Sequence, residues 1–259
     1  MQSIRELLRY SYLILSFARR DVRARYKQTA LGAAWAVLQP LSLMIVFTLV
    51  FDRVARIPTG GTPYPIFAYS ALIFWSFFST SMTQGTLAMT ANSNLVRKIY
   101  FPRETLLLAV LLSASLDLAI ACSMLAVLMV WFKVSLTWTV LWVPVLLAVQ
   151  VLFTFALVCL TSAVHVYFRD IGHALTLGLQ LWMFATPVAY PMSVVPEAVR
   201  PFYLLNPMAP LIDGYREAIV FGQAPDLARI GIVLVVVLVL MSFTYVGFKR
   251  AERTFADVI

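Results

Sequence analysis

His165 and His173 stand eight residues apart in "HVYFRDIGH", with Arg169 and Asp170 between them. Imidazoles ligate metals, but a metal pair on a helix needs a spacing that stacks both rings on one face, with cysteines or carboxylates completing the set. The stretch has neither, so it reads as a polar turn that fixes topology, and no metal ligand is assigned. Cys122 and Cys159 both fall inside apolar runs, which excludes a disulfide framework and a zinc spacing. No Walker A loop, HExxH pair or GxSxG elbow occurs. No catalytic residue is assigned, and the chain has no visible means of hydrolysing ATP.

The charged residues are more informative. Asp117 is the one acid well inside an apolar run. A carboxylate there is costly unless it faces a bundle interior or a watery path. Proton coupling is one reading, and a structural or pore-edge role is the other. Arg103 and Glu104 form a charge pair before an apolar run and read as a helix anchor. Five cations, Arg19, Arg20, Arg23, Arg25 and Lys27, crowd into nine residues just ahead of the first apolar run.

These residues must be positioned by membrane elements. The 259 residues are 61% hydrophobic and 12% charged, with a mean hydropathy of +0.86. A soluble domain carries about 25% charged residues, and so much apolar surface would leave large exposed patches. The class is an all-α integral membrane protein. Spans need about 20 mostly apolar residues, and the candidates are roughly 34–51, 65–87, 105–131, 139–163, 173–190 and 229–248. The fifth is short and broken at Pro187, and the segment after it is neither a clean span nor a polar loop. Six spans leave both ends on one side. That side carries 14 lysines and arginines against five on the other, which places both termini in the cytoplasm. The net charge of +8 then follows from topology, and nucleic acid is not the partner. No signal-peptide pattern precedes the first run, so the N-terminus is expected to be retained.

Within 1–33, Ile4, Leu7, Leu8, Tyr12, Leu15 and Tyr26 interleave with Arg5, Arg9, Arg19, Arg20 and Arg23. This pattern predicts a helix in the interface plane, its arginines toward headgroups or water. The loop "TANSNLVRKIYFPRE" opens with capping residues, forms a short amphipathic helix and stops at Pro102. Leu95, Ile99 and Phe101 give it an apolar surface and Arg97 and Lys98 a basic one, as a docking plug for another protein would need. The aromatics Phe74, Trp75, Phe77, Phe78 and Trp182 are either lipid-facing bulk or the lining of a conduit for sugar rings. Sequence leaves both open.

"RDVRARYKQTALGAAWAVLQPL" (20–41) and "NSNLVRKIYFPRE" (92–104) resemble the permease subunits of type-2 ABC exporters of lipid-linked polysaccharide. "YFRDIGHAL" (167–175), "YPMSVVP" (190–196) and "LLNPMAPLIDGYREAI" (204–219) follow the same pattern in the same order, so the resemblance covers nearly the whole chain. It implies a single transmembrane domain over 1–259, with a cytoplasmic interface helix (1–33), a six-span bundle (34–248) and a cytoplasmic tail (249–259). It also implies extracellular re-entrant or gate helices at about 191–220. The partners implied are a second copy of the chain, two copies of a cytoplasmic ABC ATPase and the membrane lipids. ATP and Mg belong to the partner ATPase, with no cofactor in this chain. The substrate implied is a polyprenyl diphosphate-linked glycan of the O-antigen or teichoic-acid kind, exported across the bacterial inner membrane. Arg19, Arg20, Arg23, Arg25 and Lys27 are then candidates for receiving its diphosphate, with plain membrane anchoring as the alternative. Asn94, Leu95, Arg97, Lys98, Ile99 and Phe101 would couple to the ATPase. A type-2 exporter of a drug or lipid shares the docking helix but needs no wide glycan path. A proton-coupled carrier would need no ATPase, and a membrane-embedded enzyme or scaffold is the remaining rival.

Overall fold

The computed structural model describes residues 10–199, 203 and 205–259. The start of the expected interface helix, with Ile4, Arg5, Leu7, Leu8 and Arg9, lies outside the described residues, as do 200–202 and 204 of the expected gate segment. All regular structure among the described residues is helical. In chain order the helices are α1 (Ser11–Tyr26), α2 (Trp35–Phe47), α3 (Tyr64–Ala91), α4 (Ser93–Lys98), α5 (Glu104–Trp131), α6 (Val143–Tyr167), α7 (Ile171–Phe184), α8 (Met208–Ile219), α9 (Leu227–Ala251) and α10 (Phe255–Val258). With their flanking turns, α2, α3, α5, α6 and α9 are long and apolar enough to cross a membrane.

α1 stops where Lys27 turns extended and Gln28 and Gly32 take positive φ, which an α-helix cannot continue through. Pro40 is the sixth residue of α2, and a 3₁₀ turn over Gly32–Ala34 leads into the helix. Beyond Phe47 the span continues as wide π turns over Thr48–Val54, where the Ala55 amide bonds the Val50 carbonyl at 2.9 Å. Pro65 and Pro144 sit at the second positions of α3 and α6, where a missing N–H leaves no intrahelical bond unmade. Asp226 caps α9 by accepting from the Ala228 and Arg229 amides at 3.1 and 3.3 Å.

α3 is the central post. It packs against α2, α5, α6, α7 and α8, and Ile66, Phe67, Tyr69, Leu72 and Phe78 on it are fully buried. At Gly85 the backbones of α3 and α6 close up, since a Cβ there would meet Val158 Cγ1 at 2.5 Å. α9 lies on the outside of the bundle, exposing Ile232, Val235, Val236 and Phe243, as a helix bordered by lipid does.

The expected fifth span, 173–190, is short and broken as its sequence indicates, with the helix itself ending at Phe184. α7 has 14 residues, or about 21 Å of helix, against a hydrocarbon core of about 30 Å. Pro187 lies in the turn beyond α7 and allows no further helical bonding. The segment nevertheless traverses the bundle antiparallel to α3. A Cβ on Gly172 would lie 3.4 Å from Leu87 Cδ2, Trp182 meets Phe78 with centroids 5.2 Å apart, and the Ala189 carbonyl accepts from the Tyr64 hydroxyl at 2.6 Å.

One end of the bundle gathers the docking loop, the α6–α7 turn and the C-terminal turns. Lys249 pairs with Glu104 at 2.7 Å and Glu252 at 2.9 Å, Arg103 donates to the Glu252 carbonyl, and Tyr167 meets Thr254 at 2.5 Å. Arg103 and Glu104, read as a local pair, thus turn to different partners, the turn after α9 and Lys249 near the end of α9. At the other end, Thr139 donates to the Ala218 carbonyl at 2.7 Å, and α8 fills the space beside Phe67 and Pro187.

Candidate functional site

The five clustered cations divide. Arg19, Arg20, Arg23 and Lys27 line an open cleft along α1 with Ser16 and Ala24, and of these Arg19, Arg23 and Lys27 form no ion pair among the described residues. Arg20 pairs with neighbouring Asp21 at 2.9 Å and lies over the Phe17 ring at 5.1 Å. Arg25 turns the other way, into the bundle. One Nη donates to Asp117 Oδ2 and the other to Gln84 Oε1, with Ser113 Oγ at 3.3 Å. Tyr26 donates to Asp117 Oδ1 at 2.7 Å. Arg25 therefore leaves the surface set, and Asp117, which the sequence presents as unaccompanied, has a full complement of donors. A bidentate-capable guanidinium suits this position better than a lysine would.

Beside this pair a cavity of about 320 Å³ opens between α1, α2, α3 and α5, lined by Trp35, Gln39, Ser76, Phe77 and Thr80 as well as the pair itself. Amides, hydroxyls and the rings of Tyr26, Trp35 and Phe77 surround one neutralised ion pair, with Pro40, Ile73 and Leu118 completing a mixed polar and apolar wall without net charge.

The docking helix α4 follows α3 after a single break at Asn92, whose side-chain amide donates back to the Ala88 carbonyl at 2.8 Å. Asn94, Arg97, Lys98 and Ile99 are exposed and Leu95 half-buried, while Val96 anchors the inner face. Phe101 departs from its expected place on the docking surface. It is 6% exposed and packs on Phe17 of α1, with centroids 5.9 Å apart. Tyr100, 97% exposed, takes its place beside Ile99. α10 packs against α4.

Of the conduit candidates, Phe74, Trp75, Phe77 and Phe78 are all buried within the one subunit. Phe74 stacks on Tyr215 of α8 at 3.5 Å, and Phe78 stacks on Phe153 at 5.8 Å. Trp182 sets its edge against Trp75, Phe78 and Phe153 and donates to Asn206 Oδ1 at 3.0 Å. Only Phe77 borders the cavity at Arg25. Together they form an aromatic seam within the bundle, with Trp182 half-buried at its edge.

Two residues that matter were overlooked in the sequence. Arg216, counted as an outer-loop charge, is 1% exposed. It lies over the Phe67 ring at 3.7 Å and donates to the carbonyls of Phe67, Pro187, Val188 and Tyr190. Gln150 donates to the Phe74 carbonyl at 2.8 Å and accepts from the Tyr215 hydroxyl at 2.7 Å. Both satisfy backbone or phenol groups that burial would otherwise leave unpaired. A signal for Arg216 was present: "MAPLIDGYREAI" is strongly amphipathic, and Arg216 shares its apolar stripe with Ile212 and Ile219 at helical spacing.

Among the described residues no three His, Cys, Asp or Glu side chains cluster as a metal site requires. The family model described as ABC-2 type transporter matches residues 12–220. The chain belongs to that family. An O-antigen export system permease protein RfbA of Myxococcus xanthus is 33% identical over 99% of this chain and 98% of that protein. A protein of the same name in Klebsiella pneumoniae is 27% identical over 95% of each. The polysialic acid transport protein KpsM of Escherichia coli is 23% identical over 80% of this chain and 81% of its own. The ABC-2 match spans α1 through α8, so the ion pair of Arg25 with Asp117, the docking helix and the Arg216 anchor all lie inside it.

Proposed function

We propose that this chain is the membrane-spanning subunit of an ATP-driven exporter that moves a polyprenyl diphosphate-linked polysaccharide across the bacterial cytoplasmic membrane. The end-to-end match to an O-antigen export permease carries the reading. The subunit works as a homodimer with two copies of a separate ATPase, which holds the ATP and Mg; no hydrolysis is assigned to this chain. The whole of 1–259 acts as one transmembrane domain. Six crossings keep both termini cytoplasmic, and the passage of α7 and its following turn from Leu87 to Tyr64 supports the sixth.

ATP closes the two ATPases, α4 moves with them, and the spans at the dimer axis rearrange between two states that the ATPase binds with different affinity. Arg19, Arg20, Arg23 and Lys27 form the basic face that draws anionic headgroups to the cytoplasmic surface. The glycan path runs between subunits, with Phe77 and Trp35 as the aromatic rings nearest an open cavity. A proton-coupled carrier is disfavoured because Asp117 is held by Arg25 and Tyr26.

Reconstitution of the chain with its ATPase and candidate polyprenyl-linked glycans tests the proposal. ATP-dependent movement of a glycan lipid is expected. Transport of drugs or simple lipids alone, or glycan movement without the ATPase, would overturn it.

A further inference from the structure

The ends of α3, α6 and α7 that lie nearest the docking helix enclose a cavity of about 660 Å³. Its polar lining is His165, Arg169, His173, Thr83, Thr90 and Thr176. No carboxylate lines it; Asp170, between Arg169 and His173 in sequence, is exposed outside the lining. Arg169 and His173 are exposed and have no ion pair among the described residues. His165 is different. It is 5% exposed, and its Nδ1 is buried with no hydrogen-bond partner among the described residues. An unpaired polar atom in such a place costs free energy that a ligand can return.

We propose that this cavity is a phosphate-recognition site, which binds the phosphate or diphosphate group of a ligand through Arg169, His173 and His165. The planar fork of Arg169 matches two oxygens of a tetrahedral anion, and each imidazole supplies one further donor. A cation is excluded by the guanidinium. The positive end of the α7 dipole points at the same place. Amides at the start of α7 are already bonded to carbonyls of residues 168–170, so side chains carry the recognition. The three threonine hydroxyls donate to backbone carbonyls one turn back, at 2.9 to 3.0 Å, and so leave recognition to the charged and imidazole side chains. Gly172 is part of the site because a Cβ there would come 3.3 Å from His165 Cε1 and crowd the ring.

The phosphate chemistry stands on these residues alone; its assignment to a lipid diphosphate headgroup rests on the exporter reading above. The test uses the full complex with its ATPase, in nanodiscs of neutral phosphatidylcholine, with ¹³C-labelled histidine rings. Inorganic pyrophosphate, a polyprenyl diphosphate and nanodiscs containing phosphatidylglycerol are the probes. Ring signals of His165 and His173 are expected to shift on addition of phosphate probes. Arg169→Ala and His173→Ala, both at exposed positions, should each weaken binding about tenfold, the effect of losing one charge-assisted bond. Arg169→Lys should recover part of the loss, and Gly172→Ala should weaken binding without removing any charge. Tighter binding of the polyprenyl diphosphate assigns a lipid-linked source, equal binding of pyrophosphate a soluble one, and a response to phosphatidylglycerol alone a phospholipid. Ring signals unmoved by every probe, or affinities unchanged in both alanine variants, overturn the proposal. Binding without any glycan translocation leaves this site standing and removes the exporter reading. Translocation with unaltered affinities in the variants does the reverse.

Discussion

The Arg25 guanidinium of α1 is bonded to the Asp117 carboxylate of α5 across 92 residues of sequence. The bond turns the last basic turn of α1 into a fastener between the surface helix and the bundle. Asp117 lies about 20 Å along α5 from Glu104, so the fastener reaches well beyond the level of the docking loop.

Removing one member of this pair should cost more than removing both. The side chains are 21% and 18% exposed, so Arg25→Gln or Asp117→Asn should each destabilise by about 2 kcal/mol, below the range for fully buried pairs. The double variant should lie well short of the sum. Apparent melting midpoints of the four proteins in one detergent measure the cycle, and strictly additive shifts would show that the pair is not coupled.

Arg216 should tolerate no replacement. Its donors hold carbonyls of the turn after α7 and of α3, and loss of a buried charge-assisted network costs about 3 kcal/mol or more. Arg216→Lys should fare nearly as badly as Arg216→Ala, because an ammonium cannot reproduce the fork. A lysine variant with wild-type thermal stability would refute this.

Docking should depend on Ile99 and Tyr100 and not directly on Phe101. Ile99→Asp, alone or with Leu95→Asp, should abolish co-purification with the ATPase at unchanged subunit stability. Phe101→Ala should instead lower subunit stability by about 3 kcal/mol, as for a buried aromatic truncated to alanine. Retained association in the Leu95/Ile99 double variant would falsify the docking role.

Acid should favour the fold through Asp213. Burial pushes its carboxyl up from 3.8 to about 6, with Arg216 acting in the opposite direction. A carboxyl with a raised folded-state value stabilises the protein fully below its unfolded value and loses that contribution as pH rises through the folded one. Between about pH 4 and 6 the wild type should therefore lose stability relative to Asp213→Asn. Parallel melting curves for the two across that window would exclude the effect.

Much of this was legible in local pattern. Long apolar runs gave α3, α5, α6 and α9 because an apolar run of spanning length has few other outcomes. α4 was legible because polar Asn92 and Ser93 stand at its start and Pro102 follows closely, although no side chain caps that start. The shortness of the fifth segment and its break at Pro187 were legible too, but not what makes them acceptable: neighbours must pair the backbone of the irregular turn, and Arg216 does that from elsewhere in the chain. The Arg25–Asp117 bond, the Phe74–Tyr215 stack and the inward turn of Phe101 all join distant segments. Residue type allowed those contacts without choosing them, and Phe101 in particular reads as well outside as in.

The knot around Arg103, Glu104, Lys249 and Glu252, with α10 resting on α4, makes the docking helix a shared handle. A push on α4 reaches α3 through the Asn92 break, α5 through Glu104 and α9 through Lys249 at once. With an ATPase seated on α4 as proposed, three helices would receive one stroke, and a tail cut away after α9 would loosen that grip.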